Sequence, residues 1–277
     1  MGFTIGADIE VFGKRGDHHV ALCGMIGGTK EAPKQVPNLP EGFMVQEDNV
    51  SLEFNIPVCT FKPEFVGAIA IMRNHCAELL KPMGLEVSDK SSFSFSKEEL
   101  ASPAAMVFGC EPDFDAWKKA VNKRPKSTDA ALRTAGGHIH VGTRDVDMVD
   151  GIRAMDLFIG VPSILVDSSE ESQKRRELYG KAGAMRPKPY GFEYRVMSNF
   201  WMFKDAYADW IYNQTNRAMG FCAGGQKISK SLAGDIQNCI NNSDKTLAQK
   251  IVNLYAIRLP KEKEEKHVVT DSVYEFI

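Results

Sequence analysis

The feature that most constrains the fold is a repeated alternation of apolar and polar residues, in which the polar positions carry carboxylates and imidazoles. In "FTIGADIEVFG" (residues 3–13), the apolar residues Ile5, Ile9 and Val11 alternate with Asp8 and Glu10. Side chains two positions apart in a β-strand project from the same face of a sheet. The segment therefore predicts a strand with one face in the core and both carboxylates on the other.

Three more segments show the same peculiarity. "NVSLEFNIP" (49–57) carries Glu53 on its polar face, "GGHIHVG" (136–142) carries two histidines, and "FEYRVMSNFW" (192–201) carries Glu193 and Arg195. A single strand of this kind most often has a solvated polar face, and a same-face ion pair on a surface contributes little stability. Because four strands share the pattern, we expect their polar faces to converge on one site.

Converging carboxylates repel one another, because carboxylates a few Å apart cannot all ionise without cost. A divalent cation relieves that repulsion. Oxygen ligands with some imidazole suit Mg²⁺ or Mn²⁺. The strand faces therefore predict a magnesium or manganese site.

Two other segments could bind phosphate. "KRRELYGKAGAMRPKPYG" (174–191) combines arginines, whose planar fork suits phosphate, with glycines that let backbone N–H groups approach it. "GMIGGTKEAP" (24–33), which contains Lys30, is a less specific candidate for a phosphate or substrate loop. The sequence has no GxxxxGK[ST] motif, which disfavours a P-loop NTPase. An exposed basic loop is the simpler interpretation of the first segment, but beside a metal site it suggests nucleoside triphosphate chemistry.

Composition excludes several other classes of protein. The formal net charge of −2 gives no basic surplus for nucleic acid or an anionic membrane. The six cysteines are scattered without a CxxC pair, as expected of reduced thiols in a cytoplasm. The N-terminus does not read as a signal peptide, and no apolar run approaches the roughly 18 residues of a membrane span. We therefore expect a cytoplasmic protein.

Strands and helices mix without a strict βαβ rhythm, which predicts an α+β fold with an antiparallel sheet. Apolar residues at helical spacing predict helices over 62–80, 146–167 and 206–222. A turn and short helix are expected over 109–122, and a long basic loop over 168–191. Without a repeat or clear linker, residues 1–277 are predicted to form a single domain, with 225–277 as a helical C-terminal extension.

Seven motifs follow one another along the chain: "GADIE", "GGTKEAP", "QEDNVSLEFNIP", "FGCEPDFDAW", "LRTAGGHIHVG", "RRELYGKAGAMR" and "YGFEYRVMSNFW". Taken in this order, they resemble one family, the phage-encoded carboxylate–amine ligases called amidoligase type 2. This family lies within the glutamine synthetase and glutamate–cysteine ligase superfamily. The resemblance covers roughly residues 3–215, and nothing in the last sixty or so residues matches.

The resemblance implies a glutamine synthetase-like catalytic fold, in which a curved antiparallel sheet lines the active site and helices cover its outer face. It also implies that ATP phosphorylates a carboxylate, and that an amine then attacks the acyl phosphate to give an amide, with Mg²⁺ or Mn²⁺ on the phosphates. The carboxylate and amine substrates are not fixed: amino acids, peptides and host macromolecules all remain open. A homo-oligomer also remains open, whereas nucleic acid and membrane partners are not expected. A phage-encoded member would act in the cytoplasm of the infected host cell.

The resemblance and the strand faces together give each candidate residue a role. Arg195 is similar to the arginine that holds the substrate carboxylate, and Asp8 stands where many superfamily members have glutamate. His138 resembles a metal ligand, whereas His140 is expected to face the nucleotide phosphates. The predicted metal ligands are Asp8, Glu10, Glu53, His138 and Glu193; the cofactor-binding residues are His140, Arg175, Arg176, Arg186 and Lys30; the catalytic residues are Arg195, Arg186 and Glu193.

Three alternatives remain. A guanidino-kinase-like phosphotransferase would keep ATP, metal and arginines but make no amide. A phage structural or host-interaction protein without activity is disfavoured by the complete set of ligand-type residues. A cupin-type metalloenzyme would use the paired histidines and Asp145, but Tyr194 stands where a third histidine is needed, and Glu10 would have no role.

Overall fold

The computed structural model of the chain describes residues 2–106, 113–123 and 128–261. Its strands are β1 Thr4–Arg15, β2 His18–Val20, β3 Lys34–Gln35, β4 Met44–Asp48, β5 Ser51–Asn55, β6 Glu86–Ser88, β7 Ser92–Ser94, β8 Phe114–Asp115, β9 Ala120–Val121, β10 Leu132–Thr134, β11 Gly137–Gly142, β12 Ala184–Lys188 and β13 Gly191–Tyr194. Its α-helices are α1 Lys62–Leu80, α2 Pro103–Met106, α3 Met148–Met155, α4 Val161–Val166, α5 Glu170–Arg175, α6 Asp205–Ala223, α7 Lys230–Asn242 and α8 Lys245–Leu254. A π-helical turn, Asp156–Gly160, joins α3 to α4, and two 3₁₀ helices span Lys81–Met83 and Asn199–Phe203.

Eleven strands form one sheet, whose main path runs β3-β4-β5-β1-β11-β13-β12-β8-β9. The first half of β1 lies between β5 and β11, and its second half pairs with β2 and β6. Each neighbouring pair is antiparallel. A separate two-stranded sheet joins β10 to β7. The antiparallel α+β class expected from the sequence is confirmed.

Helices α1, α3, α4, α6, α7 and α8 pack against one face of the large sheet. On that face, Ile5, Ile9, Ile139 and Phe192 are at most 1% exposed and belong to the same apolar core as Phe65 of α1. Burial of one such side chain contributes roughly 1.5–3 kcal/mol to folding. Because side chains alternate along a strand, the positions between these residues face away from the helices. That opposite face carries the candidate site.

The predicted helices at 62–80, 146–167 and 206–222 are confirmed, with the π-helical turn inside the second. The prediction of a short helix within 109–122 is wrong for residues 113–122, because β8 and β9 form a hairpin there. Residues 109–112 lie outside the described ranges. The carboxylate of Asp115 accepts hydrogen bonds from the backbone N–H groups of Trp117 (2.8 Å) and Lys118 (3.0 Å), which closes a turn instead of a helix.

The loop expected over 168–191 is also wrong in part, because it contains α5 and β12. Ser169 caps α5 by accepting a hydrogen bond from the N–H of Ser172, which is the usual role of serine before a helix. Within the described ranges, no helix is long and apolar enough to cross a membrane. In the C-terminal region, α7 and α8 contribute Ile236 and Ile251 to the main core. The assignment of residues 1–277 to one domain stays a prediction, and 262–277 lie outside the described residues.

Candidate functional site

The sheet register brings the polar strand faces together. Asp8 lies opposite His138 on β11, and Glu10 lies opposite Glu53 on β5. Glu193 of β13 lies opposite His140 on one side and Arg186 on the other. The structure therefore places the five predicted metal residues on neighbouring strands of one sheet face.

A first group of carboxylates, called the acidic trio here, consists of Glu10, Asp48 and Glu53. One carboxylate oxygen from each residue lies within 4.8 Å of the other two, and Glu10 and Glu53 are buried. Asp48 reaches the group because β4 pairs with β5 and ends at that residue. The ammonium of Lys30 lies 3.7 Å from an oxygen of Asp48.

The electrostatics of the acidic trio favour a cation. Burial, and then the neighbouring charges of Asp8 and Glu10, raise the pKa of Glu53 well above its ordinary value. Burial also raises the pKa of Glu10, although the nearby His138 acts in the opposite direction. Two buried carboxyls with raised pKa values, together with Asp48 beside them, offer three oxygen donors that suit a hard divalent cation such as Mg²⁺ or Mn²⁺.

A second group, the mixed trio, consists of Asp8, His140 and Glu193, whose donor atoms also lie within 4.8 Å of one another. His138 Nδ1 lies 2.7 Å from one oxygen of Asp8, and His140 Nε2 lies 3.0 Å from the other. Burial would raise the pKa of Asp8, but the charges and hydrogen bonds of His138 and His140 hold it well below its ordinary value. Asp8 is therefore an ionised acceptor between two imidazoles.

Glu193 is surrounded by cationic side chains. Arg195 donates a short hydrogen bond to it, Lys188 Nζ lies 2.9 Å away, and Arg186 lies 3.4 Å away. Burial and the charge of Asp8 would raise the pKa of Glu193, but its cationic neighbours, Arg195 foremost, lower it to about 2. This edge of the site therefore combines a permanent carboxylate with three positive charges.

A cleft with a volume of about 60 Å³ opens beside the acidic trio, and residues of β10 form part of its wall. Arg175, Arg195, Asp48 and Asp113 all line it. Arg175 is almost completely buried and donates to the carbonyl of Val196 at 3.0 Å, while its Nε has no hydrogen-bond partner among the described residues. The cleft thus presents guanidinium and carboxylate groups to the same small volume.

The predicted phosphate-binding residues do not all meet at one point. Arg175 lines the cleft and Arg186 reaches Glu193, but Arg176 is buried away from both and donates to the hydroxyl of Ser172 at 2.8 Å. Lys30 lies at the acidic trio through Asp48.

Several site residues were not among the sequence-based candidates. Lys188 follows Arg186 by two positions and so shares its strand face, but the segment was expected to be a loop. Asp48 lies just before the turn that leads into β5, the strand that carries Glu53, and its position at the end of β4 depends on the β4–β5 pairing. Tyr190 bonds His140, and no sequence pattern indicated it. The motif containing Asp113 was noted, but its first five residues, 108–112, lie outside the described ranges.

Comparison with known sequences gives one family match. Residues 118–216 match the model of the family described as phage phiEco32-like COOH.NH2 ligase-type 2. This match confirms the resemblance to the carboxylate–amine ligase family, and its range includes His138, His140, Glu193 and Arg195. The N-terminal strand that carries Asp8 lies outside it. No curated protein sequence matches the chain.

Two solved structures align with the chain at low sequence identity. A bifunctional glutathione synthetase from Pasteurella multocida aligns with a TM-score of 0.42 and 10% identity, over 92% of this chain and 49% of that chain. A structure described as apo GmaS without ligand aligns with a TM-score of 0.38 and 10% identity, over 92% of this chain and 69% of that chain. The chain thus spans about half the length of the glutathione synthetase.

Proposed function

We propose that this chain is an ATP-dependent carboxylate–amine ligase, which forms an amide or peptide bond through an acyl phosphate. The observation that carries the proposal is that one sheet face holds both the acidic trio and the mixed trio, each of which could bind a cation, and that arginine and lysine side chains surround Glu193 on the same face. The family match over residues 118–216 supports the same reaction class. The setting we propose is the cytoplasm of an infected host cell.

Each part of the site has a proposed task. Glu10, Asp48 and Glu53 would hold a divalent cation, and the bound cation would neutralise the charge of the ATP phosphates. Arg186 and Lys188 supply further positive charge at the edge where Glu193 lies. In the cleft, Arg195 and Arg175 are placed to hold the substrate carboxylate, since guanidinium groups bind carboxylates through paired N–H donors.

The reaction consists of two transfers. A carboxylate oxygen attacks the γ-phosphorus of ATP, and ADP leaves. The amine nitrogen then attacks the acyl carbon, loses a proton and expels inorganic phosphate. The residues of the cleft contribute mainly by orienting the carboxylate and by excluding water, which would otherwise hydrolyse the acyl phosphate. The carboxylate and amine are proposed to come from amino acids, peptides or a host macromolecule.

A substrate screen tests the proposal. The purified chain is supplied with Mg-ATP, a set of carboxylates and a set of amines, and the products are followed by ADP assay, phosphate assay and mass spectrometry. We expect ADP and free phosphate to be released together when both substrates are present, with formation of an amide. Release of ADP with a phosphorylated product and no free phosphate would indicate a phosphotransferase instead. If ATP is not consumed with any substrate pair, the proposal is wrong.

Two substitutions test the site directly. We expect Glu53→Ala and His138→Ala to abolish Mg-ATP turnover while the circular dichroism spectrum stays that of the unchanged protein. Glu86→Ala is a matched control, because the Glu86 side chain is 75% exposed on β6. Full turnover in both site variants would contradict the assignment of the site to this sheet face.

A further inference from the structure

Tyr190 lies in the turn between β12 and β13, beside the mixed trio. Its hydroxyl is 2.6 Å from His140 Nδ1, and the two rings lie within 21° of parallel with their centroids 6.2 Å apart. Its backbone carbonyl accepts a hydrogen bond from the N–H of Thr143 at 3.0 Å, just beyond the end of β11.

Gly191 lets this turn approach β11 closely. Its φ is +152°, and a Cβ at this position would lie 2.2 Å from the carbonyl oxygen of Val141. Since an L-residue could not occupy this position without strain, the turn depends on glycine. The contacts of Thr143 and Gly191 thus fix the backbone of Tyr190 next to β11, where its hydroxyl contacts His140.

We propose that Tyr190 is a positioning residue that keeps His140 Nε2 available as a cation ligand. The inference rests on the proposed function, because it assigns a partner to one of the proposed cation sites. His140 Nε2 faces Asp8, and a carboxylate can only accept a hydrogen bond. A neutral imidazole carries a single N–H. When His140 carries a single N–H, Nε2 therefore donates to Asp8, and Nδ1 accepts the hydrogen bond of the Tyr190 hydroxyl.

A cation held by Asp8, His140 and Glu193 requires the opposite tautomer. Nε2 must then offer its lone pair, so the ring proton lies on Nδ1 and needs an acceptor. A phenolic hydroxyl can both donate and accept, so Tyr190 supports either tautomer without moving. Such a partner on the second ring nitrogen is usual for metal-binding histidines, and its loss typically weakens metal affinity by about 10- to 100-fold.

The test measures cation binding without nucleotide. Mn²⁺ is titrated into the purified chain and followed by electron paramagnetic resonance, in a Glu53→Gln background that disables the acidic trio. Tyr190→Phe keeps the ring and removes the hydroxyl, and we expect about 10-fold weaker Mn²⁺ binding at the remaining site. Tyr212→Phe is the matched control, because it removes a hydroxyl that donates to the carbonyl of Thr60. We expect it to bind Mn²⁺ like the background.

A second readout reports the tautomer itself. In protein labelled with ¹⁵N-histidine, Mg²⁺ should move the His140 proton from Nε2 to Nδ1, and Tyr190→Phe should require more Mg²⁺ for the same change. Tyr190→Leu removes both the hydroxyl and the ring, whereas Tyr190→Phe removes the hydroxyl alone. An effect that both variants share is therefore due to the hydroxyl, and an additional effect in Tyr190→Leu is due to the packing of the ring.

The outcomes are distinct. Unchanged Mn²⁺ affinity in Tyr190→Phe would overturn the inference, and so would an equal weakening of the acidic trio when Glu53 is intact, since that indicates general structural damage. Absence of Mn²⁺ binding in the unsubstituted chain would overturn the inference together with the proposed cation sites. If Tyr190→Phe weakens Mn²⁺ binding as expected but the chain forms no amide with any substrate pair, the inference is supported and only the proposed function is overturned.

Discussion

Replacement of Glu53 by glutamine should stabilise the metal-free protein while abolishing its ATP turnover. In the acidic trio, one oxygen from each carboxylate lies within 4.8 Å of the other two. At an effective dielectric constant of about 20, two unit charges at such a distance repel by roughly 3 kcal/mol. Glutamine has nearly the same shape as glutamate and removes two of the three repulsions.

Protonation limits how much of this repulsion the native protein bears. The pKa of Glu53 is raised in the folded protein, by burial first and then by neighbouring carboxylates. A carboxyl whose folded pKa exceeds its unfolded pKa makes folding less favourable as the pH rises between the two values. Above a pH of about 4.3, ionisation of Glu53 should therefore lower the free energy of unfolding by about 1.4 kcal/mol for each pH unit, until its folded pKa is reached. The advantage of Glu53→Gln should grow over the same range.

The assay is urea unfolding in EDTA, followed by tryptophan fluorescence, from about pH 5 to about pH 8. We expect Glu53→Gln to gain stability over the unsubstituted protein as the pH rises, whereas Glu86→Gln should stay within about 0.5 kcal/mol of it throughout. Saturating Mn²⁺ should reverse the order, because only the intact trio gains the full binding energy. The reasoning is refuted if Glu53→Gln is less stable near the upper pH limit in EDTA, or if its advantage does not depend on pH.

Two further predictions concern residues that support the site. Glu47 accepts hydrogen bonds from three backbone N–H groups of the loop that carries Lys30. Glu47→Ala should therefore lower the free energy of unfolding by about 1–3 kcal/mol and raise the KM for ATP. An unchanged urea midpoint and an unchanged KM would contradict this prediction. Burial raises the pKa of Asp156 to about 7, against the opposing effect of hydrogen bonds from Trp117 and Tyr194, so its ionisation makes folding less favourable as the pH rises toward 7. Asp156→Asn should therefore flatten the pH dependence of unfolding over that range, and an unchanged slope in urea titrations would exclude this effect.

Local patterns predicted those parts of the fold that depend on one segment alone. The helix over 62–80 was expected from its apolar spacing, and α1 has those bounds. The hairpin of β8 and β9 was not foreseen, because two-residue strands are too short to show an alternation. Its place in the sheet is set by pairing with β12, about seventy positions along the chain, which no local pattern reveals. Pairing with other segments accounts for the missed strands β8, β9 and β12, whereas the missed helix α5 is a local element that begins at its Ser169 cap.

The same distinction applies to the site. A period of two residues correctly put Asp8 and Glu10 on one face of β1, because that depends only on strand geometry. It could not reveal that Asp8 would pair with His138, which is 130 positions away, while Glu10 would pair with Glu53. The division of the carboxylates into two trios follows from β1 lying between β5 and β11. The sequence therefore predicted which residues lie on the face of the candidate site better than it predicted which of them lie together in each trio.

The two histidines show why the grouping matters for mechanism. On one strand face they are equivalent, and the resemblance assigned His138 to metal and His140 to phosphate; those roles stay predictions. In the structure, His138 Nδ1 bonds Asp8 and lies 3.3 Å from Arg195, whereas His140 shares the mixed trio with Glu193. The difference arises from the flanking strands, because His140 faces Glu193 across β13 and a glycine across β1. The His140 side chain is 19% exposed, whereas that of His138 is 7% exposed and lies between charged partners, so we expect His140 to respond more strongly to a bound cation.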